Sequence, residues 1–204
     1  MEHSSQIYGP GNRTVVWTQG CTLACPGCWN EDLWSRRGGR QVEAATIVRA
    51  AMEHGDEGLT LLGGEPLQQA SATLDLIRLA ASEGLGIFLY TGYEVSEVGG
   101  DALECIKAAD IVVAGRYVEA LRDTTLRWRG STNQSVLFNT SRYAADAATF
   151  EEGTDIEIHM DEGGRLTVLG YPDAALLEDL LDADLSADER GRTGPSSQPP
   201  SGSL

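Results

Sequence analysis

The chain has 204 residues, of which 41% are hydrophobic, so it can bury the core of one domain of ordinary size. Its 31 acidic and 15 basic residues leave a formal net charge of −16, which excludes binding to nucleic acid or to anionic membranes through a broad positive surface. The first residues lack the apolar segment of a secretory signal, and no apolar run approaches the roughly 20 residues that span a bilayer. We therefore expect a cytoplasmic protein with no nucleic-acid or membrane partner.

Short apolar segments alternate with amphipathic segments through most of the chain. Strands are predicted at 13–18, 59–62, 87–90 and 111–114, and helices at 43–54, at 71–83 and around 103–106. Strands that alternate with helices form crossover units and a parallel sheet with both faces covered. Because a complete eight-stranded barrel takes about 250 residues, the pattern predicts an α/β fold that is a partial, open barrel of about five or six parallel strands.

The chain beyond residue 136 has a different pattern. Segments 155–160 and 165–169 flank an Asp-Glu-Gly-Gly sequence, which predicts a β-hairpin. A proline and an aspartate at 172–173 predict the start of a short last helix. Residues 185–204 are rich in Gly, Pro and Ser and are expected to form a disordered tail. We thus expect one domain over 1–184, of which 136–184 is a C-terminal addition.

Three of the four cysteines, Cys21, Cys25 and Cys28, lie within eight residues. Clustered thiols in a cytosolic protein are more typical of metal binding or catalysis than of disulfides. Cys105 lies in the pattern of a predicted helix, where we expect it to be a small buried residue. The cysteine loop and two later turns, at 63–66 and 91–93, follow predicted strands, and ligands bind at such strand ends.

Two kinds of metal site are compatible with three clustered cysteines. A zinc site normally has four ligands, so a zinc-stabilised binding module without catalysis would need one more. The candidates for that fourth ligand are His3, His54, His159 and Cys105. A [4Fe–4S] cluster held by three thiolates instead leaves one iron open to a substrate or cofactor. The spacing favours the iron–sulfur cluster, and zinc is the alternative.

The Cys-x-x-x-Cys-x-x-Cys loop resembles that of the radical S-adenosylmethionine (SAM) enzymes. Further motifs in the same order resemble the small activating proteins of anaerobic ribonucleotide reductase. The matching segments are 9–13, 20–30, 63–67, 91–93, 113–116 and 127–134. The resemblance covers about residues 8–136, and Ala114 stands where these proteins often carry aspartate.

The resemblance implies that Cys21, Cys25 and Cys28 hold three irons of a [4Fe–4S] cluster while SAM chelates the fourth. It also implies that reductive cleavage of SAM gives a 5′-deoxyadenosyl radical, which takes hydrogen from a glycine of a large glycyl-radical enzyme. The cluster-bound SAM is then the reactive group, no protein acid or base is assigned, and a flavodoxin or ferredoxin is the expected electron donor. The alternative is a radical SAM enzyme that acts on a small molecule or a peptide.

The same resemblance suggests which residues contact SAM or the partner. The expected SAM contacts are Gly27, Trp29, Gly63, Gly64, Glu65, Thr91 and Gly92. The expected contacts with the partner or a cofactor are Arg127, Arg129 and Asn133. The other tryptophans, Trp17, Trp34 and Trp128, are expected to pack rather than to bind a ligand.

Overall fold

The computed structural model describes residues 1–151, 153, 155–161, 163, 165–170 and 178. The chain divides into two compact units, Met1–Tyr171 and Pro172–Leu204. The predicted last helix and the predicted tail belong to the second unit and lie outside the described residues, apart from Glu178. The first unit contains the whole predicted α/β pattern and the predicted hairpin.

Six strands form the main sheet, in the same order across the sheet as along the chain. They are β1 (Glu2–Ser5), β2 (Arg13–Thr18), β3 (Gly58–Gly63), β4 (Gly86–Thr91), β5 (Ile111–Ala114) and β6 (Ser135–Phe138). Strands β2 to β5 are parallel, whereas β1 and β6 pair antiparallel at the two edges. The predicted mixed α/β class with a mostly parallel sheet is confirmed.

The prediction of about five or six parallel strands is wrong, because only four of the strands in the described main sheet are parallel. A parallel pair needs a crossover of about a dozen residues or more, usually with a helix. The link from β1 to β2 spans residues 6–12, which is too short for a crossover. The link from β5 to β6, residues 115–134, contains a 3-10 turn at Glu119–Leu121 and an isolated antiparallel bridge between Arg122 and Ser131 but no α-helix, and the chain returns antiparallel.

Three α-helices form the crossovers between the parallel strands. They are α1 (Ala44–Glu53), α2 (Ala70–Ser82) and α3 (Gly100–Ala108). The ends of α1 and α2 differ from the predicted ends by a single residue. Short 3-10 helices occupy Glu31–Leu33, Pro66–Gln69, Val95–Glu97, Glu119–Leu121 and Ala144–Glu151. None of the helices in the described residues has the length and apolar content needed to traverse a bilayer.

Buried apolar side chains form two clusters, because successive strand residues face opposite sides of the sheet. Leu61 and Leu89 belong to the cluster that includes the helices, and Phe88 and Val113 belong to the other. Cys105 is fully buried in the helix-side cluster, and burial raises the pKa of its thiol to about 11. The prediction that Cys105 is a small core residue is confirmed.

Arg13, at the start of β2, is fully buried. Its guanidinium donates five hydrogen bonds of 2.8–3.0 Å, to the Thr60 hydroxyl, the Tyr143 hydroxyl and the carbonyls of Pro10, Leu59 and Gly86. A guanidinium has five N–H donors, so all of them are paired. Hydrogen bonds from Arg13 thus tie together the segments at the amino-terminal end of the parallel strands and leave no guanidinium donor free there.

The predicted hairpin is confirmed as a separate two-stranded antiparallel sheet. Its strands are β7 (Ile156–Met160) and β8 (Leu166–Gly170). The Glu157 carboxylate accepts a hydrogen bond from the amide of Gln6 at 2.7 Å, and the amide of Gly170 donates to the Tyr8 hydroxyl at 3.0 Å. The hairpin therefore packs against the segment between β1 and β2.

Candidate functional site

The loops that follow β2, β3 and β4 enclose one cleft at the carboxyl ends of these strands. The cleft has a volume of about 240 Å³, and its wall contains all three clustered cysteines. The same wall contains residues of the two later loops, namely Gly63, Gly64, Glu65, Thr91 and Gly92. Segments that are distant in sequence converge there, as parallel α/β architecture requires.

A tight turn joins the last two cysteines. The amide of Cys28 donates to the carbonyl of Cys25 at 3.1 Å, and Gly27 has a φ of 71°. Proline at the second position and glycine with positive φ at the third are the residues that a type II turn favours. A Cβ on Gly27 would lie 2.7 Å from the carboxylate carbon of Glu119. Gly27 therefore shapes the loop, and it lies outside the cleft wall that its neighbours Cys25 and Cys28 form.

The three clustered thiols are free and half-buried. Burial raises the pKa of Cys25, and the neighbouring thiols of Cys28 and Cys21 raise it further. The bare protein therefore disfavours ionisation of the Cys25 thiol. Bound iron would supply the compensating positive charge, since coordination to a metal deprotonates a thiol outright.

Gly63 and Gly64 hold the end of β3 against the cysteine loop. A Cβ on Gly63 would lie 2.6 Å from the amide nitrogen of Thr18, and one on Gly64 would lie 2.5 Å from the carbonyl oxygen of Gly20. Backbone hydrogen bonds fix this approach, from Gly64 to Thr18 at 2.7 Å and from Glu65 to Gly20 at 2.9 Å. Glycine is thus required at both positions by close packing, and both residues also line the cleft.

Glu65 places a carboxylate in the cleft wall although the residue is only 1% exposed. Its Oε1 accepts hydrogen bonds from the amide of Leu67 at 2.9 Å and the hydroxyl of Thr91 at 2.8 Å, and its Oε2 accepts one from the amide of Gly92 at 2.8 Å. Burial raises the pKa of Glu65, and these three hydrogen bonds oppose the increase. The contacts fix the orientation of the carboxylate at the junction of the loops after β3 and β4.

The remaining predicted site residues divide into two groups. Trp29, which is 49% exposed, and Arg129 lie in the cleft wall. Arg127 lies outside that wall and forms an ion pair with Asp155. Asn133 also lies outside it, and its side chain donates to the carbonyl of Arg116 at 2.9 Å. The structure therefore brings Trp29 and Arg129 to the cysteines and leaves Arg127 and Asn133 in structural contacts.

The three tryptophans expected to pack also contribute to the cleft. Trp17, Trp34 and Trp128 lie in its wall, as does Tyr117, which the sequence analysis did not single out. Trp34 follows Cys28 by only six positions, so its proximity to the cysteine loop was a usable signal. Trp128 lies in the matching segment 127–134, whereas Tyr117 lies outside the matching segments, in a link with little regular structure.

The cysteines fit an iron–sulfur cluster. In a cubane cluster each thiolate binds a different iron, so the three sulfurs need not converge on one ion. Among the described residues, no group of three His, Cys, Asp or Glu side chains is placed to hold a metal ion. The positions considered as a fourth zinc ligand lie away from the cleft wall, and His3 stacks on His54 with ring centroids 4.0 Å apart.

Comparison with known proteins agrees with this geometry. A family model described as a 4Fe-4S single cluster domain matches residues 7–137, which include all three loops of the cleft. The anaerobic ribonucleoside-triphosphate reductase-activating protein of Escherichia coli (strain K12) is 32% identical over 139 residues, which cover 64% of this chain and 90% of that protein. The protein of the same name from Enterobacteria phage T4 is 33% identical over 142 residues, which cover 66% of this chain and 88% of that protein.

The fold, the three free thiols and the family match together define a [4Fe–4S] protein. This favours the iron–sulfur interpretation over the zinc module. Because the similarity extends over nine-tenths of the Escherichia coli relative, the chain belongs to the family of anaerobic ribonucleoside-triphosphate reductase-activating proteins.

Proposed function

We propose that this protein is a radical SAM enzyme that installs a glycyl radical on an anaerobic ribonucleotide reductase-like partner. The observation that carries the proposal is the convergence of three free cysteines and a buried, oriented carboxylate on one cleft, in a chain of the activating-protein family. The open sheet serves as the partial barrel of such enzymes, with the site at the carboxyl ends of its parallel strands.

Cys21, Cys25 and Cys28 hold the cluster in this proposal, and their half-buried positions limit the access of water. When bound, the cluster and SAM supply a one-electron reductive cleavage that yields methionine and a 5′-deoxyadenosyl radical. A flavodoxin or ferredoxin supplies the electron. The chain's own part is to bind, to orient and to exclude competing reactions.

Glu65 orients the amino group of SAM by accepting a hydrogen bond from it at the one carboxylate acceptor site that the protein leaves unused. A carboxylate has about four acceptor sites, and three hydrogen bonds to Glu65 are present. Gly63, Gly64 and Gly92 form the adjoining wall, and Thr91 acts on SAM through Glu65. Trp29 and Arg129, at the same wall, contact the adenosine or the entering partner loop.

The test is electron paramagnetic resonance (EPR) of the large reductase subunit after anaerobic incubation with this protein, SAM and a reductant. We expect a glycyl radical signal that depends on SAM and is absent when the Cys28→Ala variant replaces the unmodified protein. Formation of 5′-deoxyadenosine without a glycyl radical would refute the proposal that the reductase is the partner, and it would favour a small-molecule or peptide substrate. Absence of both would refute the radical chemistry.

A further inference from the structure

Residues 35–42 form a basic loop between the cysteine loop and α1. In a chain with a formal net charge of −16, this segment contains Arg36, Arg37 and Arg40 and no acidic residue. All three arginines are exposed. Among the residues that the structure describes, none of the three forms an ion pair, whereas Arg116 pairs with a glutamate. The basic loop is therefore a local concentration of accessible positive charge on an acidic protein.

Contacts with Gln19 and Gly20 hold the basic loop beside the cysteine loop. The side-chain amide of Gln19 donates to two backbone carbonyls of the basic loop, at 2.5 Å and 3.4 Å. A Cβ on Gly20 would lie 3.0 Å from the Cγ of Arg36. Gly20 directly precedes Cys21, so the basic loop lies next to the first of the proposed cluster ligands. Its three arginines nevertheless lie outside the cleft wall.

The charge of the basic loop indicates an acidic partner. The chain as a whole repels such a protein, but salt screens charges beyond about 8 Å at physiological ionic strength, so the charges at the contact decide. Exposed charges at an interface chiefly speed association, and electron-transfer complexes are typically small and transient. The radical acceptor has a different requirement, because its glycine must enter the cleft. An electron donor therefore fits the basic loop better than the radical acceptor does.

We propose that the basic loop is the docking surface for the electron donor, a low-potential electron-transfer protein whose own docking face is acidic. The inference rests on the proposed function, which requires such a donor. The reduced donor gives one electron to the cluster on its Cys21 side and is thereby oxidised, and no bond forms or breaks. Because the donor contacts a surface outside the cleft wall, SAM and the radical acceptor have access to the cleft while it is bound.

Two triple variants with the same net charge test this surface. The first reverses the charges of the basic loop, as Arg36→Glu, Arg37→Glu and Arg40→Glu. The second is the matched control and reverses exposed arginines of α1, α2 and the hairpin turn, as Arg49→Glu, Arg78→Glu and Arg165→Glu. Anaerobic calorimetric titration of the cluster-loaded proteins with a flavodoxin of strongly negative net charge measures binding. We expect the first variant to bind at least roughly tenfold more weakly than the control, because it places like charges opposite each other.

Cleavage of SAM with two reductants gives a second readout. With reduced flavodoxin at low concentration and low ionic strength, the first variant should form 5′-deoxyadenosine at least roughly tenfold more slowly than the control. With dithionite, a small reductant that needs no docking surface, both variants and the unmodified protein should form it at equal rates. Iron and sulfide contents should also match. Equal binding of flavodoxin by the two variants, or equal flavodoxin-driven rates, would overturn the proposal.

The outcomes separate this inference from the proposed function. If the unmodified protein forms no 5′-deoxyadenosine even with dithionite, the proposed function fails, whereas the calorimetric comparison still decides whether the basic loop is a docking surface. If the first variant binds flavodoxin normally but no longer installs a glycyl radical with dithionite, the basic loop contacts the radical acceptor. That result would overturn the assignment to the electron donor while the enzyme function stands.

Discussion

Arg13 and Glu65 are buried charged residues at opposite ends of the parallel strands, and the two residues are paired very differently. At the amino-terminal end Arg13 is fully buried, and all five of its N–H donors meet neutral protein acceptors. At the carboxyl end Glu65 is 1% exposed, and three protein donors occupy its carboxylate. One acceptor site of about four is left.

The difference indicates that one end of the sheet serves the stability of the fold and the other end serves ligand binding. The end with Arg13 is complete without a ligand, so changes there should affect folding. The other end collects groups that the described protein leaves available to a ligand, namely three thiols and one acceptor site of the Glu65 carboxylate. Changes there should affect what the protein binds.

The largest effect is expected from the clustered cysteines. Replacing any one of Cys21, Cys25 or Cys28 with alanine should abolish both bound cluster and SAM cleavage, because three thiolates are the minimum set for this site. Cys105→Ala is the matched control and should retain both, at a cost of about 1 kcal/mol of stability from the small cavity. Iron analysis and chromatography of 5′-deoxyadenosine measure the outcome, and loss of the cluster in Cys105→Ala would show that the ligands are misassigned.

Arg13→Met should lower the free energy of unfolding by at least about 3 kcal/mol, because several buried acceptors lose their donor. Arg49→Met, at an exposed position of α1, should change it by less than about 0.5 kcal/mol. Urea denaturation of the two variants measures the difference. A loss below about 1 kcal/mol for Arg13→Met would mean that this end of the sheet is not closed by the guanidinium.

A smaller loss is expected when one Arg13 acceptor is removed. Tyr143→Phe deletes the hydroxyl that accepts from Arg13 Nη1 at 3.0 Å, and it should cost about 1–2 kcal/mol. In the Arg13→Met background the same change should cost much less, since the shared hydrogen bond is already lost. Equal costs in both backgrounds, measured by urea denaturation, would exclude the coupling.

The smallest effect is a pH dependence at Glu65. Burial raises the pKa of this carboxyl, whereas the unfolded chain titrates near about 4.3. Between the unfolded and the folded pKa of Glu65, the folded state therefore binds more protons than the unfolded chain. Protonated Glu65 contributes its full stability below about pH 4.3, and this contribution is lost as the pH rises through the folded pKa. Glu65→Gln should remove this component, so its stability relative to the unmodified protein should increase with pH.

Urea denaturation of the metal-free protein at several pH values tests that prediction. Glu83→Gln, at an exposed position, is the control and should keep the pH profile of the unmodified protein. Parallel profiles for Glu65→Gln and the unmodified protein would show that the carboxyl does not titrate as the buried geometry requires.

Periodicity was sufficient to predict the α/β class, the hairpin and the ends of α1 and α2. It failed on the edges of the sheet, because strand direction depends on the length and content of the links, and β1 was not recognised as a strand at all. β1 (Glu2–Ser5) consists of polar residues, so it carries no apolar signal. Its pairing with β2 is decided by tertiary contacts.

The candidate site could be predicted only as far as its motifs are local. The cysteine loop and the Gly63–Glu65 turn are contiguous in sequence, and both reach the cleft as expected. The close approach of Gly27 to Glu119 and the bond from Asn133 to the Arg116 carbonyl depend on neighbours far along the chain. The buried state of the Trp34 nitrogen is likewise a three-dimensional property, which no spacing reveals.

The central claim is that the open carboxyl end holds a cluster able to cleave SAM. The most direct test is to reconstitute the purified protein anaerobically with iron and sulfide, add SAM and dithionite, and quantify both cleavage products. We predict methionine and 5′-deoxyadenosine in equal amounts, with none from Cys21→Ala. A reconstituted protein that contains a full cluster and yet produces no 5′-deoxyadenosine would contradict the account.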